Sequence, residues 1–186
     1  MTSTTTDFTV HTGTYTLDPA HSRLGFVARH AMVTKVRGGF NDFEGTITVD
    51  GADPSLSRVD VRAKVASIDT RNEQRDGHLR TNDFLDAETY PEITFVSTSV
   101  AHRGGDDFEV TGDLTIKGTT KAITVPLEFQ GSAKDPFGNT RIGFDGTTTI
   151  DRTDYGVSFN AALETGGVLV SEKVTLEFEI SAVKSA

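Results

Sequence analysis

Apolar residues recur at every second position over most of this chain. In Ser22–His30, Leu24, Phe26, Ala28 and His30 share one face, while Arg23, Gly25, Val27 and Arg29 share the other. That period of two predicts a β-strand with one buried face. Phe43–Asp50 repeats it, with Phe43, Gly45, Ile47 and Val49 inward. In Ser57–Ile68, Val59, Val61, Ala63 and Val65 face in, and Asp60, Arg62 and Lys64 face out. The same logic turns Phe95 inward in Ile93–Val100. It turns Val110, Gly112, Leu114 and Ile116 inward in Phe108–Lys117, and Ile123, Val125, Leu127 and Phe129 inward in Ala122–Gln130. Arg141–Ile150 presents Ile142, Phe144, Gly146 and Ile150, and Val174–Ile180 closes the series with Leu176 and Phe178. Met32–Gly39, ending in two glycines, reads as a connection, and Tyr15–Asp18 leads into the fold before Pro19 turns the chain.

These segments are separated by turn signals such as RGGDD, Gly118-Thr119 and DPFGN. The result is about eight antiparallel strands without βαβ alternation, an all-β barrel or sandwich. Glycines at the inward positions Gly45, Gly112 and Gly146 favour a barrel, because glycine inside a strand marks sharp curvature or close approach of another group.

Ile68–Pro91 breaks the alternation and gathers charge. Thr70 and Glu73 have capping-box spacing, so a short helix is predicted over about Asn72–Leu79, within a helical segment spanning residues 71–86. Pro91 ends the segment, since the residue before a proline is pushed toward an extended conformation.

Composition narrows the picture. The chain has 186 residues, Lys+Arg 18 against Asp+Glu 27 and a formal charge of −9, so one domain is expected over residues 15–186 and nucleic acid is not an expected partner. Phe 12 against Tyr 3 and Trp 0 suits a dry core or a greasy cavity, because Phe adds apolar area without a polar tip. Cys 0 removes disulfides and thiol chemistry. The polar residues 1–14 read as a disordered leader without the apolar run of a secretory signal; no run is long enough to span a bilayer as a helix, and a cytoplasmic location is expected.

Candidate chemistry is sparse. His30 ends an apolar strand face; it is either a polar group at a pore mouth or a strand-end histidine bonded to a backbone carbonyl. Arg75 and His78, three residues apart on the predicted helix, either offer donors to a ligand's head group or, with Asp76, tie the helix to the barrel. Asp151, Arg152, Asp154 and Tyr155, followed by Gly156, read as a turn with an internal ion pair. There is no HExxH spacing and no GxSxG elbow, so no metal, cofactor or catalytic residue is assigned.

The stretches LDPAHSRLGFVARHAM, GGFNDFEGTITVD, SIDTRNEQRDGHLRTNDFLDAETYPEITF, GDLTIKGTTKAI and IGFDGTTTIDRTDYGV occur in that order from about Tyr15 to Ile180. Together they resemble the YceI-like family. The resemblance implies an extended, lipocalin-like, eight-stranded antiparallel barrel with an elongated hydrophobic pore. It implies binding, transport or storage of a long-chain isoprenoid lipid, either a polyprenyl phosphate or an isoprenoid quinone, and often a homodimer. Two departures stand out: many relatives carry an export signal, and a tryptophan often stands where this chain has Tyr15. On this reading Phe26, Phe43, Ile47, Val61, Val65, Phe95, Leu114, Ile116, Val125, Leu127, Ile142, Phe144, Leu176 and Phe178 line the pore, with His30, Arg75 and His78 at its mouth. Two alternatives stay open: an enzyme using His30 or His78 as acid or base on a hydrophobic substrate, and a closed module with a filled core that docks partners through the Arg75 segment.

Overall fold

The structure, a computed structural model, describes residues 7–164 and 166–185. Eleven strands run through it: β1 (Gly13–Leu17), β2 (Arg23–His30), β3 (Thr34–Phe40), β4 (Phe43–Val49), β5 (Arg58–Lys64), β6 (Ile68–Asp69), β7 (Glu92–Gly104), β8 (Asp107–Ile116), β9 (Thr119–Lys134), β10 (Thr140–Asp151) and β11 (Lys173–Lys184). The single α-helix among the described residues, α1, spans Glu73–Leu79.

Six of these strands are halves of three longer paths. Both β1 and β2 pair with β11, through Leu17↔Ala182 and Phe26↔Leu176. On their other side β1 pairs with β4 and β2 with β3, so β3 and β4 form the second path. The third path is β5 and β6, since β5 pairs with β4 and β6 with β3. From there β5 pairs with β7, and β7 through β11 follow as antiparallel neighbours. The pairing of β11 back onto β1 closes an eight-stranded antiparallel barrel. Closure leaves every strand except the two-residue β6 with two neighbours, which removes nearly all the unpaired edges an open sheet would carry.

Three sequence expectations change. Met32–Gly39 is not a connection but largely strand β3, whose alternation is masked by Gly38 and Gly39. A Cβ at Gly38 would come 2.5 Å from the Phe26 ring, so the glycine lets β3 cross that ring closely. Ser57–Ile68 is not one strand: it leaves the sheet after Lys64 in a 3₁₀ turn over Val65–Ser67. The expected leader falls partly outside the described residues, but from Asp7 onward it is folded. Phe8–His11 forms a 3₁₀ turn capped by Asp7, and Phe8 is buried against Phe108 and Phe129, with ring centroids 5.0 and 5.4 Å away. Tyr15 is fully buried, and its hydroxyl donates to the His11 carbonyl at 2.9 Å, tying this turn to β1.

The helix is where the sequence placed it, with a different cap. Asn72, not Thr70, is the N-cap and accepts from the Arg75 N–H at 3.0 Å. Thr70 is buried; its backbone N–H donates to the Asp76 carboxylate at 2.9 Å and its hydroxyl donates to the same oxygen.

A charge triad pins the kink between β1 and β2 to the far end of the β9–β10 hairpin. Arg141 donates to Asp18 at 2.7 Å and to Asp135 at 2.9 Å. Burial pushes the Asp135 carboxyl up, but the N–H groups of Asn139 and Phe137, the Arg141 guanidinium and the Asn139 amide outweigh it and hold its pKa down to about 2. Arg141 and His21 likewise lower Asp18. Both carboxyls bind protons more readily when unfolded, so their contribution is present above the unfolded value of about 4 and is lost as pH falls toward 2. In urea titrations between these pH values, Arg141→Met should flatten the wild-type loss of stability. An unchanged pH slope would mean that the triad does not supply it.

Candidate ligand cavity

The inward faces enclose two cavities on one axis. The larger, about 250 Å³, is lined by Leu24, Phe26 and Ala28 of β2, by Phe95 of β7, and by inward residues of β8, β9 and β11. The smaller, about 90 Å³, lies toward Phe8 and is lined by Ile47, Phe129, Ile142 and Phe144. Val59, Val61, Val110, Leu127 and Ile180 line both and form a waist between them. Cavities that take a benzene-sized guest are about 150 Å³, and drug-sized sites begin near roughly 300 Å³, so the larger chamber has room for a slender apolar chain.

The two ends differ. Phe8 belongs to the buried cluster around the smaller chamber. At the other end Leu79, the last residue of α1, together with Phe84 and Leu85, meets Val157 and Val170 from the stretch after β10. Thr94, Arg152 and Tyr155 are the polar side chains in the lining of the larger chamber.

Arg152 and Tyr155 open and close one 3₁₀ turn, Arg152–Tyr155, which ends at Gly156 with φ 74°. Positions i and i+3 eclipse in a 3₁₀ helix, so the two side chains share a face. Arg152 is 6% exposed. It donates to four carbonyls: Ser171 at 2.8 Å, Val157 at 2.6 Å, Phe159 at 3.0 Å and Val170 at 3.2 Å. Its expected internal ion pair does not form; Asp151 and Asp154 turn instead to Lys173 at 3.6 Å and Lys121 at 3.9 Å. Burial lowers its pKa against the opposing pull of Glu172 and Asp151. Tyr155 is 2% exposed, and among the described residues its hydroxyl has no hydrogen-bond partner. Burial, with Asp154 adding to it, raises its pKa.

The chain matches the YceI-like domain over residues 15–182. It belongs to the YceI-like family. A UPF0312 protein of Staphylococcus aureus is 42% identical over 169 residues, covering 90% of this chain and 95% of its own length. Among solved structures, BcnA of Burkholderia cenocepacia superposes with a TM-score of 0.78 at 29% identity, over 89% of this chain and 98% of its own. The YceI protein of Campylobacter jejuni gives 0.73 at 31% identity, over 85% and 90%. A polyisoprenoid binding domain from Saccharophagus degradans, at 20% identity and a TM-score of 0.71 over 92% and 98%, shares the fold.

Within this YceI-like barrel, the structure gathers most of the residues that alternation turned inward. Phe26, Val61, Phe95, Leu114, Ile116, Val125, Leu127, Leu176 and Phe178 line the larger chamber, and Ile47, Ile142 and Phe144 line the smaller. Phe43 packs into the core beside the chambers, and Val65, in its 3₁₀ turn, leaves the pore face. The three proposed mouth residues lie outside the lining. His30 is exposed at the end of β2, one alternation beyond Ala28. Arg75 is held by Thr70, through its hydroxyl and its carbonyl at 2.7 Å each. His78 bonds to Asp83 at 2.8 Å and packs edge-on against Phe84 and Phe159. Sequence reasoning saw DRTDYG as a turn only. The signal available was the three-residue spacing of a cation and one of only three tyrosines, just ahead of Val157 and Phe159.

Proposed function

We propose that this YceI-like protein binds a long-chain isoprenoid lipid inside the barrel and carries or stores it without altering it. The supporting observation is the lining: two neighbouring chambers that share the aliphatic side chains of Val59, Val61, Val110, Leu127 and Ile180, with three polar residues among those around the larger one. Such a tube suits a slender apolar chain, since each buried methylene contributes about 0.8 kcal/mol and there are few polar groups to desolvate. The unpaired polar surface that a reaction would need is nearly absent from it. The same reading has the protein working in the cytoplasm, and as a homodimer, which light scattering on the purified protein would check.

Native mass spectrometry of freshly purified protein, followed by solvent extraction, is the direct test. An excess mass that extracts as an unmodified prenyl lipid is expected. A delipidated protein with no measurable affinity for any prenyl chain would overturn the reading.

A further inference from the structure

Charge is spread unevenly over this acidic protein. From Pro19 to Asn41 the chain carries Arg23, Arg29, Lys35 and Arg37 and no Asp or Glu, against a formal charge of −9 for the whole. Arg23 pairs with Glu177 at 3.3 Å. The other three cations are exposed and make no ion pair among the described residues. The register of the β2–β3 hairpin sets Lys35 opposite Arg29 and Arg37 opposite Val27, so all three share its outward face. Like charges directly opposite on paired strands are destabilising, and here nothing within the fold offsets them.

The tip of the same hairpin is apolar. The Val33 N–H donates to the His30 carbonyl at 3.1 Å, closing a turn with Ala31 and Met32 at its centre, at φ 49° and 63°. Such a turn favours Asn and Gly. Instead it holds Met32 and Val33 in solvent, 61% and 76% exposed. The tip also adjoins the end of the larger chamber. The Ala31 N–H donates to the Leu169 carbonyl at 2.7 Å, and His30 bridges to Val170, which lines that chamber as Ala28 does.

We propose that the β2–β3 hairpin docks the protein on an anionic lipid surface. Met32 and Val33 enter the interface between head groups and acyl chains, and Arg29, Lys35 and Arg37 rest on the anionic heads. An apolar tip flanked by cations is the arrangement that binds such a surface, through buried apolar area and electrostatic attraction together. The acidic remainder of the molecule is repelled by the same surface, so the protein approaches hairpin first, with the Ala28–Val170 end of the larger chamber toward the bilayer. This deepens the lipid-binding reading, since it brings the chamber to the place where prenyl lipids reside. A second copy fits the face less well. The edge of β3 is open over Thr34–Gly38, because β6 pairs only with Gly39 and Phe40, but a two-fold pairing along it would set Lys35 and Arg37 near their own copies.

The test is co-sedimentation of the full chain with vesicles of phosphatidylcholine alone and of phosphatidylcholine with phosphatidylglycerol in equal parts. The wild type should bind the mixed vesicles at least tenfold more tightly than the neutral ones, and lose that difference in high salt. Replacing the cations together, as Arg29→Gln, Lys35→Gln and Arg37→Gln, should weaken binding by about two orders of magnitude, since each cation near an anionic surface contributes about a fivefold factor. Met32→Ser with Val33→Ser should weaken it about tenfold. Both variants should melt at or above the wild-type temperature and keep their affinity for a soluble short prenyl probe. The lipid and salt series of the wild type needs no variant, so a variant that fails to fold leaves the test standing.

No binding to either vesicle, or equal binding to both, would overturn the docking, and prenyl binding in the same protein would leave the carrier reading intact. Dimers that these variants break, with no vesicle binding by the wild type, would give the face to a second copy and also overturn it. Salt-sensitive binding to the mixed vesicles by a protein that takes up no prenyl chain would uphold the docking and bring down the carrier reading.

Discussion

Arg152→Met should cost the protein about 3–5 kcal/mol of stability, the largest effect expected of any single substitution outside the aliphatic core. Four carbonyls, those of Val157, Phe159, Val170 and Ser171, converge on one guanidinium; all four come from the stretch between β10 and β11, whose Val157 and Val170 line the α1 end of the larger chamber. Methionine fills a similar volume but leaves these acceptors unmet, and each buried, unmet carbonyl is costly. Arg152→Lys should recover little, because an ammonium is a compact charge with three donors and cannot span four acceptors the way a planar fork does. Urea unfolding of the three proteins is the measurement. Hydrogen exchange should show the loss concentrated in residues 157–171 before global unfolding. A Lys variant as stable as the wild type would mean that charge alone, not the fork, holds this segment.

Val61→Phe should weaken long prenyl chains by roughly two to three orders of magnitude and shorter ones by less than tenfold. Val61 lines both chambers, so a ring at this position crosses the waist between them. A tail that has to stop there forfeits the burial of about one isoprene unit, about 3–4 kcal/mol at about 0.8 kcal/mol per methylene. The overpacking itself costs about 1–3 kcal/mol of stability, which a melting curve would record separately. Affinities for a series of prenyl chains of rising length would then part from the wild type only beyond the length that fills the larger chamber. Parallel loss at every length would instead mean that the variant distorts the wall.

The alternation of side chains was enough to find the barrel wall, because burial on one face of a strand leaves a direct imprint on sequence. That imprint fades where geometry replaces side chains. At Gly38 the strand survives without an apolar side chain, since the backbone itself packs against the Phe26 ring, and at Gly39 it lies close to the backbone of Leu24 and Gly25. Val65 keeps the inward parity but not the direction, because the chain turns out of the sheet one residue earlier. Asn72 took the cap that Thr70 was expected to supply once the buried Asp76 claimed the threonine. His30 had the right parity and sits past the rim. The role of Arg152 was hardest to see, since it is bound by backbone carbonyls, and carbonyls have no letter in a sequence.

The pairing of β1 with β11 sets the order in which this molecule can be made. Leu17 lies opposite Ala182, and Tyr15 opposite Lys184, so the closing contact joins the first strand to the last. No hairpin supplies this contact locally, and the loop it closes is nearly the whole chain. On the ribosome, β1 waits with one edge open until the final strand emerges. Loss of the last few residues would therefore bare one edge of β1, while β2 stays paired with β11 through Thr175–Glu179, and that bared edge is prone to pair with other copies.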